Sequence, residues 1–317
     1  MNISKLFIQI KYIVCTIFFI ICVIFLFAGG KNLSNIRSIA YAWNLGHIVL
    51  YILTGVLLTK TIKQVNSIPF TRQVVLFSLL SVVSGLIIEI IQLHTGREFS
   101  LKDVLWDFFG ILTFLAFFNT SAQNIKYIYL RVFQFSVLLI LSVIILPLGI
   151  LIVDETAARH QFPVLSDFET WFEDRRWDSI NKLEICDNPV IPHNKSLKVT
   201  LSPGRYSGLS LNHFPQKWAE YNFLKISIFN PSEKKIKIYC GIKDKIHDNS
   251  GYNYNDRYNG KFILNHGWNQ IEIDLNKVLK APVKRDMNID KITSIFLFMA
   301  YLKNPMIIYI DDVKLSI

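Results

Sequence analysis

Hydrophobic residues fall along this chain in two patterns that change over near residue 154. Upstream they form long runs almost free of charge, among them 12–28, 74–91 and 132–153. Each approaches the ~20 apolar residues that cross a bilayer. They predict five spanning helices, over 11–28, 43–59, 74–93, 101–118 and 132–153. From residue 162 onward, apolar and polar residues alternate with period two over short stretches, the signature of half-buried strands. Eight are expected, at 196–202, 207–214, 223–230, 234–243, 261–264, 269–275, 294–301 and 306–317. Turn formers such as Ser202-Pro203-Gly204 and Lys303-Asn304-Pro305 separate them. The stretch ILNHGWNQIEIDL reads as a hairpin turned around Gly267. The expected fold is a membrane all-α bundle of five transmembrane helices (1–153), a linker (154–161) and an all-β jelly-roll sandwich (162–317).

Charge adds an orientation. The net charge of +10 divides into 11 Lys and Arg against 5 Asp and Glu over 1–154, and 23 against 19 over the rest. With a cytoplasmic N-terminus, Lys5, Lys11, Lys60, Lys63, Arg72, Lys126 and Arg131 face inward. Lys31, Arg37, Arg97 and Lys102 face outward, so the inner side carries the excess. Five spans then put the β-domain outside the cytoplasm. The first run superficially resembles a signal peptide, but it exceeds the ~7–15 apolar residues of one and reads as an uncleaved span. The β-half has no Lys/Arg-rich block, which argues against nucleic acid as a partner. Cys15 and Cys22 share a face of the first helix as core residues. Cys186 and Cys240 fall in the β-domain, and the sequence leaves their pairing open.

The chemistry-bearing residues concentrate at 85–110, GLIIEIIQLHTGREFSLKDVLWDFFG. Ser81, Gly85, Glu89 and Gln92 form one stripe of small and polar groups, and Asn44, His47 and Tyr51 form another. Ser100 suits a helix N-cap with Asp103 three residues on, and Asp107 lies one turn deeper. In the expected topology His47, Glu89, Arg97, Asp103 and Asp107 converge at the outer leaflet. Ionisable groups in a membrane are costly and mark function by default. A packing network, with Glu89 paired to Arg97 or His47, remains the alternative. For chemistry, Arg97 could clamp a phosphate, Glu89 or His47 act as base, and a carboxylate as acid. No HExxH, GxSxG or phosphate-loop motif is present.

His47 with Tyr51, Glu89 with Gln92, and Arg97 followed by Ser100, Asp103 and Gly110 resemble the VanZ-like family of bacterial membrane proteins over about residues 10–118. The resemblance implies a helical bundle in the bacterial plasma membrane, associated in one member with glycopeptide-antibiotic resistance, and no established reaction. Asp107 stands where the family usually has Asn, and the fifth helix lies outside the match.

In the β-half the informative loop carries Asp244, His247, Tyr252, Tyr254, Asp256 and Arg257 between two strands. Aromatic rings beside charged groups on a loop suit a carbohydrate site; a loop-fixing Asp256–Arg257 pair is the alternative. WAEYNFLKISIFNPSEKKIKIYCGIKDKIHDNSGYNYNDRYNGKFILNHGWNQIEIDL, with APVKRDMNIDKI and YIDDVKL, is similar to jelly-roll carbohydrate-binding modules and galactose-binding-like domains over about 162–317. Asp167, Glu169, Asp311 and Asp312, near the two ends of the domain, are oxygen ligands suited to a structural Ca2+, which that resemblance also favours.

The whole reads as a cell-envelope protein with membrane lipids and an envelope glycan or lipid-linked glycan as partners. Its N-terminus is cytoplasmic and its C-terminal domain extracytoplasmic. An outward β-domain binds glycan, and the outer-leaflet polar site holds an amphiphilic envelope ligand, binding outweighing catalysis. The alternatives are a membrane enzyme acting on a lipid-linked sugar or phosphate, and a simple anchor for a lectin-like domain.

Overall fold

The computed structural model describes residues 13, 16–17, 19–21, 23–24, 36–94, 99–187, 194–251 and 253–317. Most of the helix expected over 11–28, with Cys15 and Cys22, lies outside the described residues, as do Arg97 and Tyr252. The chain divides into two compact units, Met1–Ile152 and Val153–Ile317.

The first unit is helical. α1 spans Arg37–Asn44, α2 Gly46–Thr61, α3 Phe70–Leu93 and α4 Leu101–Phe117; α5 starts at Tyr127 and continues to Gln161. Two expectations change. The helix expected over 43–59 is two segments that meet at Leu45 and begin at Arg37. The stretch 154–161, expected as a linker, is the end of α5. Among the described residues three runs are long and apolar enough to cross a membrane, Arg37–Thr61, Phe70–Leu93 and Tyr127–Gln161.

This unit wears its apolar residues outside. On α3, Val75, Leu79, Val83, Ile87 and Ile90 are exposed, while Gln73, Phe77, Ser81, Gly85, Glu89 and Gln92 are buried. Lipid is as apolar as a protein core, so the polar stripe is the face that gains by turning inward. α2 and α4 approach closely at Gly110, where a Cβ would meet the Ile48 carbonyl oxygen at 2.6 Å. Leu50, Tyr51, Phe77, Ile111, Phe114 and Leu115 fill the space between α2, α3 and α4.

The second unit is a sandwich of two antiparallel sheets. Its strands are β1 Val164–Ser166, β2 Trp177–Asp178, β3 Lys182–Asp187, β4 Lys195–Leu201, β5 Gly204–Leu211, β6 Phe223–Asn230, β7 Ile236–Asp244, β8 Tyr258–Leu264, β9 Gly267–Asp274, β10 Ile292–Leu302 and β11 Met306–Ser316. One sheet runs β3-β4-β11-β6-β9 with β1 beside β11, and the other β2-β5-β10-β7-β8. All eight expected strands are present within a few residues of their expected ends. β1, β2 and β3 were not expected; the first two are too short to show a period.

The hairpin expected around Gly267 does not form. β8 pairs with β7 and β9 with β6, so the chain crosses between sheets at that point. Gly267, at φ +86°, takes the left-handed conformation this corner requires. Inward residues of both sheets, among them Leu197, Val199, Ile226, Ile228, Ile238, Ile295 and Leu297, form the core. Cys186 and Cys240 are free thiols in different sheets, and burial pushes the Cys240 thiol up to about 12.

Candidate functional site

In the helical unit the polar stripes meet as one cluster. His47 Nδ1 and Asp107 Oδ1 lie 2.8 Å apart, and His47 Nε2 faces Asp103 Oδ2 at 3.7 Å. His47, Glu89 and Asp107 are 1 % exposed, Gln92 2 %, Tyr51 3 % and Asp103 7 %. The Tyr51 hydroxyl hydrogen-bonds the Ser84 hydroxyl at 2.8 Å. Ser100 caps α4 as expected, its hydroxyl accepting from the Asp103 N–H at 3.3 Å. The return half of the capping box comes from elsewhere: the Ser100 N–H donates to Glu89 Oε2 on α3 at 2.7 Å. One carboxylate thus ties the end of α3 to the start of α4.

Sequence reasoning missed a second polar knot in this unit. The Gln73 amide donates to the carbonyls of Val65 and Ile68 and to the Ser121 hydroxyl, at 2.8 to 2.9 Å, and accepts from Asn119 at 2.6 Å. These donors saturate backbone carbonyls at loop ends, which lipid could not do.

In the β-unit the candidate loop splits in two. Asp244 is fully buried, and its carboxylate accepts from Arg285 at 2.6 and 2.8 Å and from the N–H groups of His247 and Asn288. Asp256 accepts from the same guanidinium at 2.8 and 2.9 Å and from the Ser250 hydroxyl. His247 is fully buried, with Nδ1 against the Asp256 carbonyl oxygen. Burial pushes the Asp244 carboxyl up, but the hydrogen bonds from Arg285, Asn288 and His247 outweigh it and hold it below the ordinary range. The Arg285 hydrogen bonds hold Asp256 low as well, and both carboxylates hold Arg285 above its ordinary value. Asp244, His247 and Asp256 are thus joined with Arg285 in one staple that fixes the loop. Arg285 lies 41 positions from Asp244, and nothing local signals the partnership.

The other two loop residues, Tyr254 and Arg257, belong to an open trough of about 740 Å3 on the outer face of β2-β5-β10-β7-β8. Tyr206, Phe296 and Phe298 supply apolar walls, and Asp178, Ser179, Ser207 and Ser210 supply polar groups. The rings are continuous. Phe298 stacks on Tyr239 at 5.2 Å and meets Tyr206 edge-on at 5.8 Å, while Phe296 lies 6.1 Å from Phe298. The Arg257 guanidinium sits over Phe296 at 4.8 Å and over Tyr254 at 5.2 Å. Gly241 is the cross-strand partner of Phe296, and a Cβ there would strike the Phe296 ring, so the glycine lets that ring lie flat on the sheet. Tyr206, Phe296 and Phe298 were missed because the alternation reads them merely as the solvent side of two strands.

The expected oxygen cage is not assembled. The Glu169 carboxylate accepts from the Lys195 N–H, and Asp311 accepts from the Asn194 amide, so those two reach the start of β4. Asp312 instead pairs with Lys314 at 2.7 Å, and Asp167 takes the Glu169 N–H and the Gln161 amide. Among the described residues the four ligand atoms do not form a common group; the only such group of three or more His, Cys, Asp or Glu is His47, Glu89 and Asp103.

No family model and no curated protein matches the chain. Solved structures do. The chain is 17% identical to a family 11 carbohydrate-binding module from Clostridium thermocellum in complex with a β-1,3-1,4-mixed-linked tetrasaccharide, with a TM-score of 0.38, over 48% of this chain and 94% of that one. It is 16% identical to the CBM22-2 xylan-binding domain of Paenibacillus barcinonensis Xyn10C, with a TM-score of 0.31, over 49% and 98%. It is 15% identical to an exo-β-agarase, with a TM-score of 0.40, over 48% and 24%.

Proposed function

We propose that this is a membrane-anchored glycan-binding protein, whose β-unit is a jelly-roll module that holds a polysaccharide along the aromatic trough. The observation that carries the reading is the open trough walled by Tyr206, Phe296 and Phe298 and edged by Asp178, Arg257 and serine hydroxyls. Flat rings match the C–H faces of sugars, while carboxylate, guanidinium and hydroxyl groups match their hydroxyls. Sites of this kind combine apolar walls with a few placed polar groups. The trough is open along its length, which suits an extended chain rather than a single enclosed ring.

The same proposal takes residues 1–153 as a VanZ-like bundle in a bacterial plasma membrane, with a cytoplasmic N-terminus and the module at 162–317 outside. The burial of Glu89, Gln92, Asp103 and Asp107 around His47 supports a site there for an amphiphilic envelope ligand over a plain anchor, since an anchor needs no such cluster in a lipid-facing unit.

The test uses the full-length protein in lipid nanodiscs on an array of envelope polysaccharides and plant β-glucans. Binding of at least one polymer, lost in Tyr206→Ala together with Phe296→Ala, is the expected result. A wild-type protein that binds none of them sinks the glycan reading. A C-terminal alkaline phosphatase fusion that stays inactive would overturn the orientation.

A further inference from the structure

We propose that His47, Glu89 and Asp103 form a site for one divalent cation of the Zn2+ class, with Asp107 orienting the imidazole. Their ligand atoms all lie within 4.8 Å of one another, and each residue comes from a different helix of the bundle.

The second, independent observation is the state of the imidazole. His47 Nδ1 is engaged at 2.8 Å by Asp107, an acceptor that keeps the proton on Nδ1. Nε2 then carries a lone pair, is buried, and has no hydrogen-bond partner. It faces the Asp103 carboxylate at 3.7 Å. A lone pair turned toward a carboxylate inside a low-dielectric bundle is repulsive. The 3.7 Å gap is also too long for a hydrogen bond between them. A cation between the two atoms satisfies both.

The geometry fits that occupant. At metal–ligand distances of ~2.1 Å, a 3.7 Å separation corresponds to an angle of roughly 120° at the metal, within reach of a tetrahedral or trigonal site. The loosest pair of ligand atoms would have to close by at most about 0.6 Å to share such an ion. One imidazole and two carboxylates suit Zn2+ and its neighbours better than Ca2+ or Mg2+, which prefer all-oxygen cages. The Asp107–His47 contact is the carboxylate–histidine arrangement that orients metal-bound imidazoles elsewhere. Gly85 leaves the room it needs, since a Cβ there would lie 2.6 Å from Asp107 Oδ2. Three protein ligands leave coordination positions for water or for an oxygen of a bound ligand. The site stands apart from the glycan reading, and the loss of either leaves the other intact.

The test strips full-length protein in nanodiscs with EDTA and titrates it with Co2+ as the spectroscopic probe. The expected result is one equivalent with visible d–d bands, displaced by Zn2+. H47Q and D103N should lower cobalt affinity at least tenfold, and D107N by 10- to 100-fold. Size-exclusion and helical circular dichroism check that each variant is folded. If the variants misfold, thermal unfolding of the wild type decides: added Zn2+ must raise its midpoint and EDTA must lower it. A wild type without cobalt bands or a midpoint shift overturns the site. So do bands of equal affinity in folded D103N and H47Q, which would mean adventitious metal only.

Discussion

Two carboxylate clusters in this chain look alike as composition and differ in how they are neutralised. Asp244 and Asp256 share one guanidinium, with Arg285 donating to both, and the N–H groups of His247 and Asn288 complete the set around Asp244. Asp103, Asp107 and Glu89 gather around His47, whose second nitrogen is left with no hydrogen-bond partner. The first cluster is closed, and its work is to hold a loop. The second leaves a buried imidazole nitrogen without a hydrogen bond. Buried charge is therefore informative about function only after its partners are counted.

The comparison can be broken first at Arg285. Arg285→Met strands two carboxylates, one fully buried, and should cost about 3 kcal/mol in denaturant unfolding followed by tryptophan fluorescence. A neutral result would mean the staple is decorative. The staple also sets an acid limit. Both carboxyls are held below their ordinary value, so their contribution is whole above pH ~4 and is lost as pH falls through the lower folded values. Wild-type stability should fall on that acid limb, and Arg285→Met should flatten it.

Next in size is the packing that brings the open cluster together. Gly110→Val drives side-chain atoms into the Ile48 carbonyl and Tyr51, and should cost about 2 kcal/mol in thermal unfolding of the detergent-solubilised protein. Cobalt binding should weaken with it, because His47 sits next to the displaced backbone. Unchanged cobalt affinity would separate the cluster from α2–α4 packing.

Tyr206→Ala acts on the exposed side of the β-unit. Tyr206 is 58 % exposed, so stability should stay within about 0.5 kcal/mol. Polysaccharide affinity should drop about tenfold, or ~1.4 kcal/mol, by isothermal titration. Smallest of all is Ser100→Ala. It removes a long cap contact while Glu89 keeps the Ser100 N–H, so about 0.5 kcal/mol is expected from amide exchange at the start of α4. A loss above ~1 kcal/mol would show that the hydroxyl, and not Glu89, secures that helix end.

Much of this was legible in the chain. The stripe Ser81-Gly85-Glu89-Gln92 is buried as its spacing implies, because one face of a helix is a local property. Ser100 caps where Asp103 follows it. The expected glycan loop was legible only by halves. Tyr254 and Arg257 line the trough, while Asp244 and Asp256 meet Arg285, a partner that local spacing cannot reveal. The hairpin at Gly267 failed for a related reason: a turn former shows that the chain bends, and not which sheet receives it.

The sequence by itself determined the apolar runs, the period-two strands and the polar stripes, since each follows from side-chain chemistry repeated at the pitch of a helix or a strand. Only the tertiary structure decided which charges are quenched, that Phe298 stacks on Tyr239 and meets Tyr206 edge-on, and that His47 from α2 meets Glu89 from α3 and Asp103 from α4. Those are encounters between distant segments, and burial energy specifies that they meet without naming the partners.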